Sequence, residues 1–559
     1  MRDHLRSSLT TNRWWTRPPW LLVFAVFFLL ALAVFAPAWR GEFIMDDWGY
    51  ISDNRWLTSA PSPLRFWTSL HQTDYWPLSY SIYWALWRLF GTASFPYHLL
   101  NIGLHALNAA LLWQLLRRWG AVLSMGAALI FLLHPQQVQA VAWIFQLKTL
   151  LATALALGAL LLMSRGRNGL ALVVFVAALL AKSSVVMLPV FLLAYLVNEP
   201  AEARSKQVWV WLGLYFLASL VAGLVTIYVD TQHVGDVGAQ LESWQGAATL
   251  VFMLSNLGFY VQHFFLPIGF AFLQPSSLVA QVWPKLIGVG VVALLVGFGF
   301  ALKWRHRFST QWILGWLCLV FYLVNLLPAL GLVQVPAMKL APVANHWAYF
   351  ANLGLAAMLG LMLATWFESA SSSWRLVQLG GMVACGLFLA SASYTQAATY
   401  GSEVAIWRDV VSKYPNSAVG YFNLGAALNK REQRQDAATA FATAIQLDPS
   451  HRGAHFNLAV YHIGLSQWSE AESLLRRTVV IDRTFAPAYV NLGYVLWQQG
   501  RREDALGALK VGLQAAPPHL ELYKNLCMYL QQSQLPDEAA VICPVAQAME
   551  ADAQRAAGP

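Results

Sequence analysis

Asp46 and Asp47 stand side by side in Gly41-Glu-Phe-Ile-Met-Asp-Asp-Trp-Gly-Tyr50, directly after an apolar run long enough to cross a bilayer. Adjacent charges beside apolar neighbours at a membrane surface are costly unless something uses them. A carboxylate there can take the proton of an acceptor hydroxyl or hold a divalent cation. Read alone, the pair is equally a solvated loop. Other polar residues interrupt apolar stretches. His98, His105 and Asn108 lie in one apolar helix pattern; their spacing suits helix-packing hydrogen bonds rather than a metal site. His134 opens His134-Pro-Gln-Gln-Val-Gln-Ala-Val-Ala-Trp143, and Lys182 separates two short apolar runs. Lys182 is either an interior cation or a lysine snorkelling to an interface.

The elements that position these residues follow from composition. The 559 residues are 58% hydrophobic and 11% charged, with a mean hydropathy of +0.49. Soluble domains carry roughly 25% charged residues. The net charge of +9 does not point to nucleic acid, because the basic residues cluster at the ends of apolar runs, where they orient a membrane protein. Apolar runs at 19–37, 98–116, 121–136, 142–163, 169–181, 183–198, 208–228, 247–266, 285–302, 312–331, 348–366 and 376–395 read as spans. The first lacks a small-residue cleavage site and reads as a span rather than a removable signal.

Arg2, Arg6, Arg13, Arg17, Arg117, Arg118, Arg165, Arg167, Arg204, Lys206, Lys303, Arg305, Arg307 and Arg375 mark cytoplasmic ends. The N-terminus is then cytoplasmic. The loop 38–97, the turns at 134–146 and near Lys182, the loop 332–347 and everything after 396 lie outside. That requires about eleven crossings, with the stretch 229–284 setting the parity.

The last part of the chain repeats. Asn423, Asn457, Asn491 and Asn525 recur every 34 residues, and Pro415, Pro449 and Pro517 follow the same lattice. Small residues at Gly425, Ala437 and Ala444 allow two helices to approach, while Phe441, Leu475 and Leu509 fill the space between units. The period and pattern resemble the tetratricopeptide repeat. Four units at 418–553, preceded by a linker and half-repeat helix at 396–417, form an α-solenoid suited to an extended peptide or a partner helix. Cys527 and Cys543 fall in the two antiparallel helices of the last unit, Cys527 at the close crossing, and are expected to bridge in an oxidising compartment. Cys318 and Cys385 are expected as buried thiols within spans.

The acidic pair, Tyr75-Trp-Pro-Leu-Ser, the His98 to Asn108 run, the His134 and Lys182 motifs and the repeats occur in one order along nearly the whole chain. Together they resemble the transmembrane-and-tetratricopeptide O-mannosyltransferases and their bacterial relatives. The resemblance implies an all-α polytopic GT-C glycosyltransferase, with a membrane domain over 1–395, that uses a sugar carried on polyprenyl phosphate. In a bacterium it places the chain in the inner membrane with the array in the periplasm. Asp46 would be the catalytic base and Asp47 its partner or a ligand of a divalent cation. The acceptor would be a protein hydroxyl, with the asparagine ladder of Asn423, Asn457, Asn491 and Asn525 holding the polypeptide through amides that both donate and accept.

The chain also departs from the family pattern. Gln137 and Gln139 replace a histidine and a glutamate, Leu147 replaces an arginine, Ser183 replaces a glutamate, and Asn345-His-Trp-Ala-Tyr349 replaces Asp-Arg-Tyr-x-Tyr. An arginine binds phosphate as a permanent bidentate cation, whereas His346 does so only when protonated or as a neutral donor. Either the donor differs, or Lys182, Lys148 and Lys339, with His134 and His346, cover the phosphate, or catalysis has been lost. The alternative is a non-catalytic membrane-anchored scaffold for envelope or polysaccharide assembly. A transporter has little support, since no inverted repeat stands out.

Overall fold

The computed structural model describes residues 18–70, 74–199, 204–233, 247–274, 281–301, 310–331, 338 and 341–557. The N-terminal arginines, the basic stretch 303–307 and Lys339 lie outside the described residues. The described residues form helices and loops without a strand, as the composition implies. They divide into two compact units, Met1–Ile406 and Trp407–Pro559.

In the first unit, Phe95–Trp119, Ile144–Met163, Lys206–Val229, Thr310–Leu330 and Ser372–Gly401 are long and apolar enough to cross a membrane. A sixth span arises if Ala121–Leu133 and Pro135–Ala142, bent by 53°, are counted as one. Trp20–Val34, Asn168–Ala181, Ser183–Asn198, Val282–Gly297 and Asn352–Glu368 are apolar but shorter. At a rise of about 1.5 Å per residue, such helices fall short of a hydrocarbon core of about 30 Å. By length and composition, the described residues therefore supply five or six spans. The expected figure of about eleven depends on those shorter helices.

Close packing rests on small residues, as is usual between membrane helices. A Cβ on Gly360 would meet the Leu123 carbonyl oxygen at 2.5 Å, and one on Gly354 the Cys318 carbonyl oxygen at 2.5 Å. Several polar groups inside the bundle pair with one another or with the backbone. The Tyr349 hydroxyl donates to His105 Nδ1 (2.7 Å), and His105 Nε2 donates to the Leu132 carbonyl (3.1 Å). The Asn108 amide donates to the Leu150 carbonyl at 3.1 Å. The packing role expected for His105 and Asn108 is the one found. Cys318 is buried, but Cys385 is exposed, which corrects the expectation for it. The Ser372–Ala398 helix turns an apolar face outward, with Leu376, Val383 and Leu387 exposed, and Cys385 lies among them.

In the second unit, first helices open at Ala418, Arg452, Ala486 and Leu520, the 34-residue period of the sequence. Each turns into its partner through a left-handed residue: Glu432, Ser466, Gly500 and Gln534. The N–H groups of Gln433, Gln467, Arg501 and Leu535 then donate back to the Leu428, His462, Leu496 and Leu530 carbonyls, closing the helix ends in the Schellman manner. The small-against-large packing is also present. A Cβ on Gly425 would lie 2.6 Å from the Phe441 ring, and one on Gly493 2.7 Å from Leu509. Cys527 and Cys543 are bridged, their Cα atoms 5.0 Å apart.

Candidate active site

The loop that follows the first helix is shaped by one tight contact and one strained residue. A Cβ on Gly41 would come within 2.9 Å of the Ala38 carbonyl oxygen and 3.0 Å of that of Tyr400, so only glycine fits without displacement. Met45 adopts a φ of 51°, a left-handed conformation that costs a non-glycine residue roughly 1–3 kcal/mol. Its N–H donates to Glu403 Oε1 at 2.9 Å. A hydrogen bond to a charged group contributes roughly 1.5–3 kcal/mol, a size that matches the strain. The turn closes with Asp47 N–H on the Ile44 carbonyl (2.9 Å) and Trp48 N–H on that of Met45 (3.2 Å).

At this turn the two carboxylates part. Asp47 is fully buried (0% exposed). Its Oδ2 accepts from Ile44 N–H at 3.0 Å and its Oδ1 from Phe145 N–H at 2.7 Å. Burial raises its pKa well above the ordinary aspartate value, against the pull of those two N–H groups. Asp46 is exposed. Enough protein flanks it that lost hydration raises its pKa, with Lys148 lowering it and Asp74 raising it further. Asp46 is thus an accessible carboxylate of increased basicity, whereas Asp47 is an anchor.

The anchor holds an irregular segment. After the short Val138–Ala142 helix the backbone is extended at Trp143 and resumes as a 3-10 turn at Ile144–Gln146 before the Leu147–Met163 helix, so the break needs outside partners. Tyr83 donates to the Ile144 carbonyl at 3.1 Å and Asn101 to the Trp143 carbonyl at 3.1 Å, while Asp47 takes Phe145 N–H. The next turn of chain then presents Lys148, which is buried. Its ammonium lies 3.2 Å from the Phe145 ring centre and 3.8 Å from that of Trp76, a cation–π cage.

Lys182 is half-buried and turned inward, donating to Thr149 Oγ1 at 2.8 Å and Gln146 Oε1 at 3.4 Å. His346 N–H donates to Gln139 Oε1 at 3.1 Å, and its ring stands edge-on to Trp143 with centres 5.5 Å apart. Burial first, then the charges of Lys182 and Lys148, push its pKa well below the ordinary histidine value. Burial and the neighbouring lysines thus favour the neutral form of His346.

Asp46, Asp47, Lys148, Lys182 and His346 thus gather around the 143–149 segment. His134 has a different task. Its Nε2 donates to the Phe264 carbonyl at 2.8 Å and its Nδ1 accepts from Gln136 N–H at 3.1 Å. Both ring nitrogens are thus engaged in bracing a turn. Among the described residues, no three His, Cys, Asp or Glu side chains gather as a metal site.

Sequence reading missed Asp74, Gln146, Thr149 and Glu403, and placed Trp76 within a motif without giving it a role. Asp74 directly precedes that motif, so adjacency could have found it. Glu403 lies 358 residues from Met45, and no local signal marks it.

In the array, the four asparagines are half-buried at one position of successive first helices. Asn423 donates to the Val419 carbonyl at 2.8 Å. The amides of Asn457, Asn491 and Asn525 have no hydrogen bond among the described residues.

No protein-family model matches the chain. A Caenorhabditis elegans protein described as a protein O-mannosyl-transferase is 22% identical over 444 residues, 74% of this chain and 60% of that protein. The chain therefore spans about 60% of the length of that curated relative. Among solved structures, MamA overlaps 27% of this chain and 89% of its own at 20% identity, with a TM-score of 0.26. YrrB, described as a TPR protein with an unusual peptide-binding site, overlaps 25% and 72% at 18% identity, with a TM-score of 0.24. Scores this low carry no argument about the site. In sequence, the chain is distantly similar to a protein O-mannosyl-transferase.

Proposed function

We propose that the chain is a membrane glycosyltransferase of the GT-C type, moving a sugar from a polyprenyl-phosphate-linked donor to a hydroxyl of a polypeptide outside the cytoplasm. The observation that carries this reading is an accessible carboxylate, Asp46, within electrostatic reach of Lys148, which in turn neighbours the inward-turned Lys182. Asp46 takes the proton of the acceptor hydroxyl as its oxygen bonds to the anomeric carbon. The bond from that carbon to the phosphate oxygen breaks, and polyprenyl phosphate leaves with the electron pair. Lys182 and Lys148 meet the charge that develops on the phosphate. His346 contributes only neutral hydrogen bonding, and Asp47 holds the loop. The unpartnered amides of Asn457, Asn491 and Asn525 suit the backbone of an extended acceptor.

The basic runs and the bridged Cys527–Cys543 pair support an array on the oxidising side, the periplasm if the membrane is the inner one of a bacterium. The neutrality of His346, at a position where the family carries an arginine, favours the scaffold alternative. A comparison of glycoproteins from cells carrying wild-type protein and Asp46→Asn separates the two. Loss of a glycoprotein class with the variant present at normal level supports the enzyme. Unchanged glycoproteins support the scaffold.

A further inference from the structure

The acid loop leans on a distant piece of the chain at three points. Gly41 packs without space for a side chain against the backbone of Tyr400 and Gly401. Glu42 N–H donates to the Gly401 carbonyl at 3.2 Å. Met45 N–H, in the left-handed residue just before Asp46, donates to the carboxylate of Glu403 at 2.9 Å. Tyr400 is buried, at 1% exposed, and Glu403 is buried, at 8%, so water does not compete freely for these contacts. Glu403 also opens the Glu403–Lys413 helix, whose positive end favours a carboxylate.

We propose that Glu403 is a positioning residue for Asp46. Its carboxylate holds Met45 left-handed, and that conformation turns Asp46 to the open side while Asp47 points inward. Without the acceptor, a methionine relaxes toward negative φ, and the carboxylate of Asp46 leaves its place beside Lys148. Glycine adopts positive φ without that penalty, so Met45→Gly should make Glu403 dispensable. A residue needed only for folding would show no such rescue.

The importance of this placement rests on Asp46 being the base, but the placement can be tested without any transfer reaction. In full-length protein in lipid vesicles, Asp46→Cys is made together with Cys318→Ala and Cys385→Ala, leaving the Cys527–Cys543 bridge. The readout is the rate of modification by a hydrophilic maleimide. Adding Glu403→Ala should change that rate about tenfold, the population shift expected from losing one hydrogen bond to a charged group. Adding Met45→Gly as well should return the rate toward its starting value. Glu403→Gln keeps an amide oxygen for the Met45 N–H and serves where the alanine variant does not accumulate; its rate should move the same way, by less. No movement in either variant, or movement that Met45→Gly leaves in place, overturns the assignment. If the labelling behaves as stated while the protein transfers no sugar, the reading of Asp46 as the base fails and the placement by Glu403 stands.

Discussion

Phe145 N–H donates to Asp47 Oδ1 at 2.7 Å across 98 residues of sequence, so the acidic loop and the segment leading to Lys148 are built as one piece. Adjacent carboxylates thereby receive different work. Asp47→Ala should destabilise the membrane unit by about 1–3 kcal/mol for each of the two N–H groups left without an acceptor. Asp46→Asn should leave stability unchanged. Thermal unfolding of the two variants in detergent checks this, and equal melting temperatures would remove the distinction between anchor and base.

The pH dependence of transfer follows from the surroundings of Asp46. A general base works deprotonated, and burial raises the pKa of this one. Activity should therefore fall with acidification at a higher pH than an ordinary aspartate would give. Asp74 raises the pKa and Lys148 lowers it. Asp74→Asn should move the acidic limb to lower pH and Lys148→Met to higher pH, and pH–rate profiles of kcat/KM read both shifts. Movement in the opposite directions would show that another group titrates.

Asn457, Asn491 and Asn525 make no hydrogen bond within the described chain, so alanine at all three should cost little stability. The same triple substitution should raise KM for a long polypeptide acceptor while leaving KM for a short glycosylatable peptide near its starting value. Asn423→Ala differs, because that amide already donates to the Val419 carbonyl. An unchanged KM for the long acceptor would detach the ladder from acceptor capture.

Cys527 and Cys543 are 16 residues apart and bridged. A closed loop of that size contributes about 3 kcal/mol by restricting the unfolded chain. Cys543→Ser should lower the melting temperature of the array, and a reductant should lower that of the wild type to match. A wild-type melting temperature indifferent to reductant would mean that the bridge does not form in solution.

How far the sequence reveals these features depends on the range of each interaction. The repeat was legible because a 34-residue period writes the same helix pair into the chain again and again, and Gly425 against Phe441 is a contact within one unit. The helical nature of the apolar runs was equally plain. The number of crossings was not, since Trp20–Val34 and Asn168–Ala181 are too short to decide by length. The site was half legible. Asp46, Lys148 and Lys182 stand out as charges in apolar surroundings, but the difference between Asp46 and Asp47 is set by a φ at Met45 and by N–H groups of Ile44 and Phe145. His134 stood out for the same reason as Lys182, yet its polarity is spent on the Phe264 carbonyl and the Gln136 N–H, partners no spacing rule identifies. Glu403 was invisible because its contact with Met45 exists only once the chain has folded back on itself.

The measurement that bears most directly on the account is transfer by purified full-length protein in lipid vesicles. The donor probe is radiolabelled polyprenyl-phosphate mannose, and the acceptor probe is a serine- and threonine-rich polypeptide. Wild-type protein should label the polypeptide, and Asp46→Asn, folded and with an unchanged melting temperature, should be at least about 100-fold slower, as expected for loss of a general base. Labelling of the polypeptide by Asp46→Asn at the wild-type rate would contradict the assignment of Asp46 as the base.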